Sequence, residues 1–394
     1  MNEQKTPRSR YVLMLGHVAG MIDLVALPLW VGTLVQHVGL DFEHAGMTVT
    51  LFLLGVVIAS LVCAPRFDRL PQRPLAVGGY LLSAAAFYAI AQSTDGPALL
   101  GLHALAGVGA GCGLSMVHGA MGRSANPHRM FALAGTALGV IGSSFFVIVP
   151  QVMARVGAHS LFLVIAGMMA CASLVSLAFP AVKRVAPVVT AAAMPTGRIP
   201  RPAWLMVAGI VCLTLNQAII FSFFERIGAS RGFAASQVNG VFAAIGLVNL
   251  FPAVLAAMLQ HRLPAIGVAM SAAAIQAVLA LTISGSEAFL PFALAASLYA
   301  AVIIFAHTFL FGLIARLDPT GRTTALTPAM LMVGSAIGPA LAGLIAQRLG
   351  FAGLGYTVAI VAVASIACFK LLGAQLKRNA PHAQGIEATV PAAK

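Results

Sequence analysis

Apolar residues run along this chain in blocks of helical length, separated by short polar punctuation. The blocks fall at approximately 11–36, 45–64, 75–93, 97–122, 130–154 and 159–182, and again at 203–224, 234–259, 265–285, 288–315, 323–347 and 351–373. Each is close to the roughly 20 apolar residues that a helix needs to cross a bilayer. Isolated strands would leave backbone groups unpaired in lipid, so the pattern predicts helices. It therefore predicts an all-α membrane protein with twelve transmembrane helices in two six-helix bundles: 1–182, a linker at 183–200, 201–376, and a tail at 377–394.

Composition sharpens this. Twelve spans need about 240 apolar residues, and 60% of 394 residues supplies nearly that number. Only 8% of the residues are charged, which excludes an ordinary soluble enzyme or a disordered chain. The basic N-terminus followed by an apolar run is similar to a signal peptide. However, the run is too long, contains Asp23 and lacks a small-residue cleavage site, so it reads as a retained first helix. Cys63, Cys112, Cys171, Cys212 and Cys368 lie scattered inside apolar blocks, without disulfide or metal-ligand spacing.

The formal charge of +13 suggests nucleic acid until the basic residues are placed. With the N-terminus in the cytoplasm, 19 Lys and Arg fall in cytoplasmic segments and 4 (Arg155, Arg226, Arg231, Arg348) on the opposite side. This is the positive-inside asymmetry. The charge is then a record of orientation, with both termini cytoplasmic in the cell's inner membrane, and no nucleic-acid partner is expected.

The two sets of six look like copies. Arg69-Leu70-Pro71 recurs as Arg262-Leu263-Pro264, 193 residues later, and Arg123 and Arg129 recur at the same offset as Arg316 and Arg322. Internal duplication of a six-span unit about an axis along the membrane normal characterises one large transporter architecture. The loop between spans 2 and 3, Arg66-Phe67-Asp68-Arg69-Leu70-Pro71-Gln72-Arg73, resembles the Gly-x-x-x-Asp-Arg-x-Gly-Arg-Lys/Arg signature of the major facilitator superfamily. Asp68, Arg69 and Arg73 fit; Pro71 replaces the second glycine. The resemblance covers essentially the whole chain. It implies a gate on the cytoplasmic side, for which Asp68, Arg69, Arg73, Arg129 and Arg322 are the candidates. Asp23-x4-Pro28 is similar to a first-span pattern of drug:proton antiporters in that superfamily. The Gly-x3-Gly-Pro form that such antiporters carry in span 5 stands here in span 11, as Gly334, Gly338 and Pro339, while Gly135, Gly139 and Gly142 of span 5 have no following proline until Pro150.

Few residues inside the spans carry chemistry. Asp23 is the acidic residue deepest in an apolar block. Low dielectric disfavours its charged form, and intramembrane carboxylates mark ion or proton paths; Asp23 is the proton-coupling candidate. The 193-residue offset maps it onto Asn216. The candidate substrate cavity comprises Trp30, Ser143, Phe146, Asn216, Gln217, Phe223, Tyr299 and His307: apolar walls with a few polar contacts. His17 and His118 read as structural histidines. The run Gly107-x-Gly109-x-Gly111-x-Gly113 has the spacing of close helix packing. No P-loop, nucleophile elbow or metal cluster is present in the sequence, so neither catalysis nor a cofactor is expected.

These readings converge on a secondary transporter, monomeric, with a small organic, partly apolar solute and protons as its partners. Export by proton antiport is favoured slightly over import of a small organic or aromatic acid by proton symport. A non-transporting membrane receptor or assembly protein is the alternative of another class, and it leaves Asp23 without a role.

Overall fold

The structure, a computed structural model, describes residues 7–36, 39–40, 42–93, 96–180, 201–318 and 320–387. The predicted linker, 183–200, and the end of the predicted tail, 388–394, lie outside the described residues. Every regular element among them is helical.

The first six spans are α1 (Pro7–Gln36), α2 (Phe42–Cys63), α3 (Gln72–Gln92), α4 (Gly96–Gly122), α5 (Pro127–Val156) and α6 (Ser160–Ser176). Span 7 is α7 (Arg201–Phe221), followed by a short α8 (Phe224–Ser230). Span 8 is divided into α9 (Ala235–Val248) and α10 (Pro252–Leu259). Then come α11 (Ala265–Gly285), α12 (Phe289–Leu317), the single turn α13 (Arg322–Ala325) and α14 (Thr327–Glu387). α14 is two spans joined at Gly350, whose φ of 70° and ψ of 179° break the helix. That conformation is open to glycine and strained for other residues.

Proline and capping side chains set many of these boundaries. Asn126 accepts a hydrogen bond from the Arg129 backbone N–H at 2.9 Å, and Pro127 occupies the first position of α5, where its missing N–H costs nothing. The same preference explains why span 8 is broken rather than continuous: Pro252 cannot donate to the preceding turn, and α10 starts there.

The glycine run of α4 lets helices meet at backbone distance. A Cβ on Gly107 would lie 2.0 Å from the Phe52 carbonyl of α2, and one on Gly109 would lie 2.6 Å from the Gly79 carbonyl of α3. α4 is thus wedged between α2 and α3, as the spacing predicted. An aromatic cluster fills the space beside it. Trp30 lies 5.1 Å from Phe52 and 5.3 Å from Phe87, with Phe162 and His103 completing the group. A separate apolar cluster built on Phe224, Val241, Phe292, Tyr299 and Val358 packs within the last six spans.

The two sets of six helices meet along α2 with α14, α5 with α10 and α12, and α4 with α13. Their cross-contacts crowd the face that carries the 2–3, 4–5 and 10–11 loops, called here the basic face. A Cβ on Gly122 would sit 2.2 Å from Thr324 Oγ1, and one on Gly312 would sit 2.9 Å from His128 Cβ. The molecule is shut on this side.

Candidate functional site

The closure is built from side chains as well as from backbone approach. Asp68, in the turn after α2, faces Arg322 at the start of α13. Arg322 donates from Nε to Oδ1 at 3.0 Å and from Nη2 to Oδ2 at 2.6 Å. This two-point geometry suits a guanidinium and a carboxylate. Burial alone would raise the Asp68 carboxyl, but the hydrogen bonds and charge of Arg322, helped by Arg123, hold it below the usual carboxylate range.

Arg322 is itself positioned. The Asp318 carboxylate accepts from the Thr323 backbone N–H at 2.8 Å and from its hydroxyl at 2.7 Å, and also from the backbone N–H and hydroxyl of Thr320. Arg123 donates to the Thr320 carbonyl across the two halves and lies over the Phe67 ring at 5.0 Å.

Of the other gate candidates, Arg73 donates to the Phe179 carbonyl at 2.9 Å, which ties α3 to the end of α6 within the first half. Arg69 and Arg129 are exposed. Of the five candidates, the structure thus brings Asp68 and Arg322 together across the halves. Arg123, marked in the sequence only as a residue of the repeat, and Asp318, which carries no signal beyond its loop position, complete the arrangement.

Deeper in, His17 of α1 and His118 of α4 stand 2.8 Å apart (Nδ1 to Nε2), and His118 Nδ1 meets the Thr327 hydroxyl of α14. His128 donates from Nε2 to the Ala256 carbonyl at 3.0 Å, and the Ser143 hydroxyl lies 2.9 Å from the Gly139 carbonyl and 3.3 Å from that of Gly246. The His118–Thr327, His128–Ala256 and Ser143–Gly246 contacts span the two halves, while His17–His118 and Ser143–Gly139 lie within the first.

Asp23 is 1% exposed, and neither of its carboxyl oxygens has a hydrogen-bond partner among the described residues. Helical periodicity sets it on the α1 face of Gly16, Gly20 and Trp30. That face packs on α4: a Cβ on Gly16 would meet Val117, and one on Gly20 would meet Leu114. Asn216, at the related position of α7, is also fully buried with both amide atoms unpartnered among the described residues. Isolated polar groups in such positions are costly, and here the two internally related helices each hold one.

The remaining cavity candidates separate into two sets. Trp30 and Tyr299 are fully buried. Trp30 donates to His103 Nε2 at 3.0 Å inside the aromatic cluster of the first half, and the Tyr299 hydroxyl donates to the Asn216 carbonyl at 2.8 Å. Both act there as packing and hydrogen-bonding groups of a bundle core. Ser143, Gln217, Phe223 and His307 keep partial exposure; His307 stacks on Phe311 at 5.3 Å. The Phe146 side chain lies outside the described residues.

Among the described residues, twelve helical spans in two sets of six, shut on one face by cross-half bonds, define the class: a multi-pass membrane transport protein. The chain belongs to the Major Facilitator Superfamily, whose model matches residues 12–327. Among solved structures, that of the E. coli fucose:proton symporter FucP is 17% identical, with a TM-score of 0.72, covering 94% of this chain and 99% of that one. The human organic anion transporter MFSD10 is 17% identical, with a TM-score of 0.68 and coverage of 93% and 100%. A bacterial homologue of the iron transporter ferroportin in an outward-facing state is 16% identical, with a TM-score of 0.71 and coverage of 95% and 100%. Among curated protein sequences none matches. Membership of this family makes the chain a transporter rather than an enzyme.

Proposed function

We propose that the protein is a proton-coupled secondary transporter of a small, partly apolar organic solute, working by alternating access. The observation that carries this reading is the burial of Asp23 with no hydrogen-bond partner for its carboxyl oxygens among the described residues. A lone carboxylate in a low-dielectric interior is unfavourable, so such a group is held as the neutral acid and ionises only when a path to water or a counter-charge is offered. A conformational cycle offers and withdraws that path. FucP, a proton symporter, shares the fold at low identity; the coupling proposed here rests on Asp23.

In this reading the basic face is cytoplasmic in the cell's inner membrane, and the molecule is in its outward-facing state. The predicted boundaries stand within the proposal: bundles at 1–182 and 201–376, joined by 183–200. The solute site lies where the halves meet, with Ser143, Gln217, Phe223 and His307 as the partly accessible contacts and Asn216 behind them. No Lys or Arg lies mid-span, which argues against a multiply charged anion. Export by antiport remains the favoured direction because of the Asp23-x4-Pro28 pattern. Import by symport is the second reading, favoured by the lack of a proline after the span 5 glycines.

The test is flux in proteoliposomes under pH gradients of either sign, over a panel of amphipathic and aromatic solutes. Solute accumulating on the acidic side supports antiport, and accumulation on the alkaline side supports symport. Flux indifferent to both gradients would remove proton coupling.

A further inference from the structure

The His17–His118–Thr327 chain has a fixed hydrogen polarity. The Thr327 hydroxyl lies 2.7 Å from the Thr324 carbonyl, which can only accept, so its one hydrogen is committed there. It must then accept from His118, which places the His118 proton on Nδ1. His118 Nε2 is left as a lone pair facing His17 Nδ1 at 2.8 Å, so His17 carries its proton on Nδ1 and donates. Both rings are neutral in this arrangement. A proton added to His118 Nε2 would set two N–H groups face to face.

A proton added to His17 Nε2 would create a buried cation. Among the described residues, the charged and titratable groups on the elements packed around the pair offer it no counter-charge. Tyr80 of α3 spends its hydroxyl on the Gly16 carbonyl, and His128 of α5 donates to Ala256. His307 of α12 stacks on Phe311, and Asp23 of α1 is turned to the Gly16 and Trp30 face. Asp68, the nearby carboxylate of the closure, is already engaged by Arg322. Phe131 and Phe311 cover the His118 ring at 5.5 and 6.3 Å.

We propose that His17 and His118 form a second proton-binding site, separate from Asp23, that fills only when the halves part on the basic face. Thr327 belongs to the second half and both histidines to the first, so opening must break the His118–Thr327 bond. The freed Nδ1–H then finds water in place of Thr327, and the pair can take one proton. Because the open form binds a proton that the closed form excludes, acid on the basic face shifts the population toward opening on that face. The site goes beyond the Asp23 reading and does not depend on it.

The experiment is amide hydrogen exchange of the full chain in nanodiscs between pH 7.5 and 5.5. Rates over 64–70 and 318–330 are corrected for the intrinsic pH dependence of exchange. In parallel, 15N-histidine NMR reads the ring protonation directly. Wild type should lose protection in both segments as pH falls, by up to about tenfold per pH unit for one linked proton, with imidazolium signals rising over the same range. Thr327→Val, which keeps both rings, should be less protected already at pH 7.5. His17→Gln should flatten the pH response. Asp23→Asn should retain it even where proton-driven flux is lost, so this site and the Asp23 reading fail separately. Protection that does not change with pH in wild type, or that changes identically in His17→Gln, overturns the proposal.

Discussion

Arg322 reaches across the two halves of the chain and grips both oxygens of Asp68, at 3.0 and 2.6 Å. The pair lies at the protein's edge, with side-chain exposures of 8% and 28% respectively, and the Asp318 bonds hold the arginine's turn in place. Asp68→Asn keeps one acceptor but loses the charge-assisted pair, and hydrogen bonds to charged groups contribute about 1.5–3 kcal/mol. The variant should open on the basic face roughly tenfold or more readily while solute affinity in the opposite-facing state stays near wild type. Accessibility labelling of the 2–3 loop would show this; a loss of affinity with unchanged opening would contradict a locking role.

The same pair gives a pH prediction. The Asp68 carboxyl is held below its ordinary range, so its stabilising contribution is present above the ordinary carboxylate value. It is lost as pH falls through the lowered one. The Asp68–Arg322 lock should therefore be insensitive to pH from mildly acidic to neutral conditions and fail only in strong acid. Any opening seen between pH 7.5 and 5.5 must come from another group, and a His17→Gln control would identify it.

Gly107 leaves no room for a side chain, because a Cβ there meets the Phe52 carbonyl at 2.0 Å. The obstacle is backbone and cannot rotate away. Gly107→Ala should push α2 and α4 apart and destabilise the protein by about 1–3 kcal/mol, the usual cost of overpacking. Gly101, where a Cβ would meet nothing within 4 Å, should accept alanine without loss. Thermal unfolding of the purified variants in detergent separates the two; equal behaviour would contradict the wedge packing of α4.

The Tyr299 hydroxyl donates to the Asn216 carbonyl from a fully buried position. Tyr299→Phe removes the bond and leaves the ring packing intact, at an expected cost of about 1 kcal/mol. Transport should continue with near-normal solute affinity, because the ring serves the core of the second half. A large rise in the solute KM at unchanged stability would return Tyr299 to the solute site.

The twelve spans were legible because membrane helices are written in their apolar lengths, and the duplication because two Arg-containing loops recur at one offset. Asp68 and Arg322 were legible as charged loop residues on one face, each from its own loop. Their direct pairing, 254 positions apart, became visible only once the two halves were docked. Trp30 shows the opposite outcome. Helical spacing placed it correctly on the Asp23 face, but that face packs into the aromatic core of the first half instead of the space between halves. Thr327 was illegible for a simple reason: a hydroxyl at a helix start has many ordinary uses, and its partner lies 209 positions away. The break in span 8 was written in Pro252, but an unbroken apolar run hid it.

The central claim is that Asp23 carries the coupled proton. Asn matches Asp in size, and the Asp23 carboxyl makes no hydrogen bond to any described residue, so Asp23→Asn should fold and insert as wild type does. The decisive measurement compares two fluxes in the same proteoliposomes: accumulation driven by an imposed pH gradient, and solute exchange with no gradient. The account predicts that Asp23→Asn abolishes the first and keeps the second, with solute still shuttling between faces. Gradient-driven accumulation at the wild-type level in Asp23→Asn would contradict it.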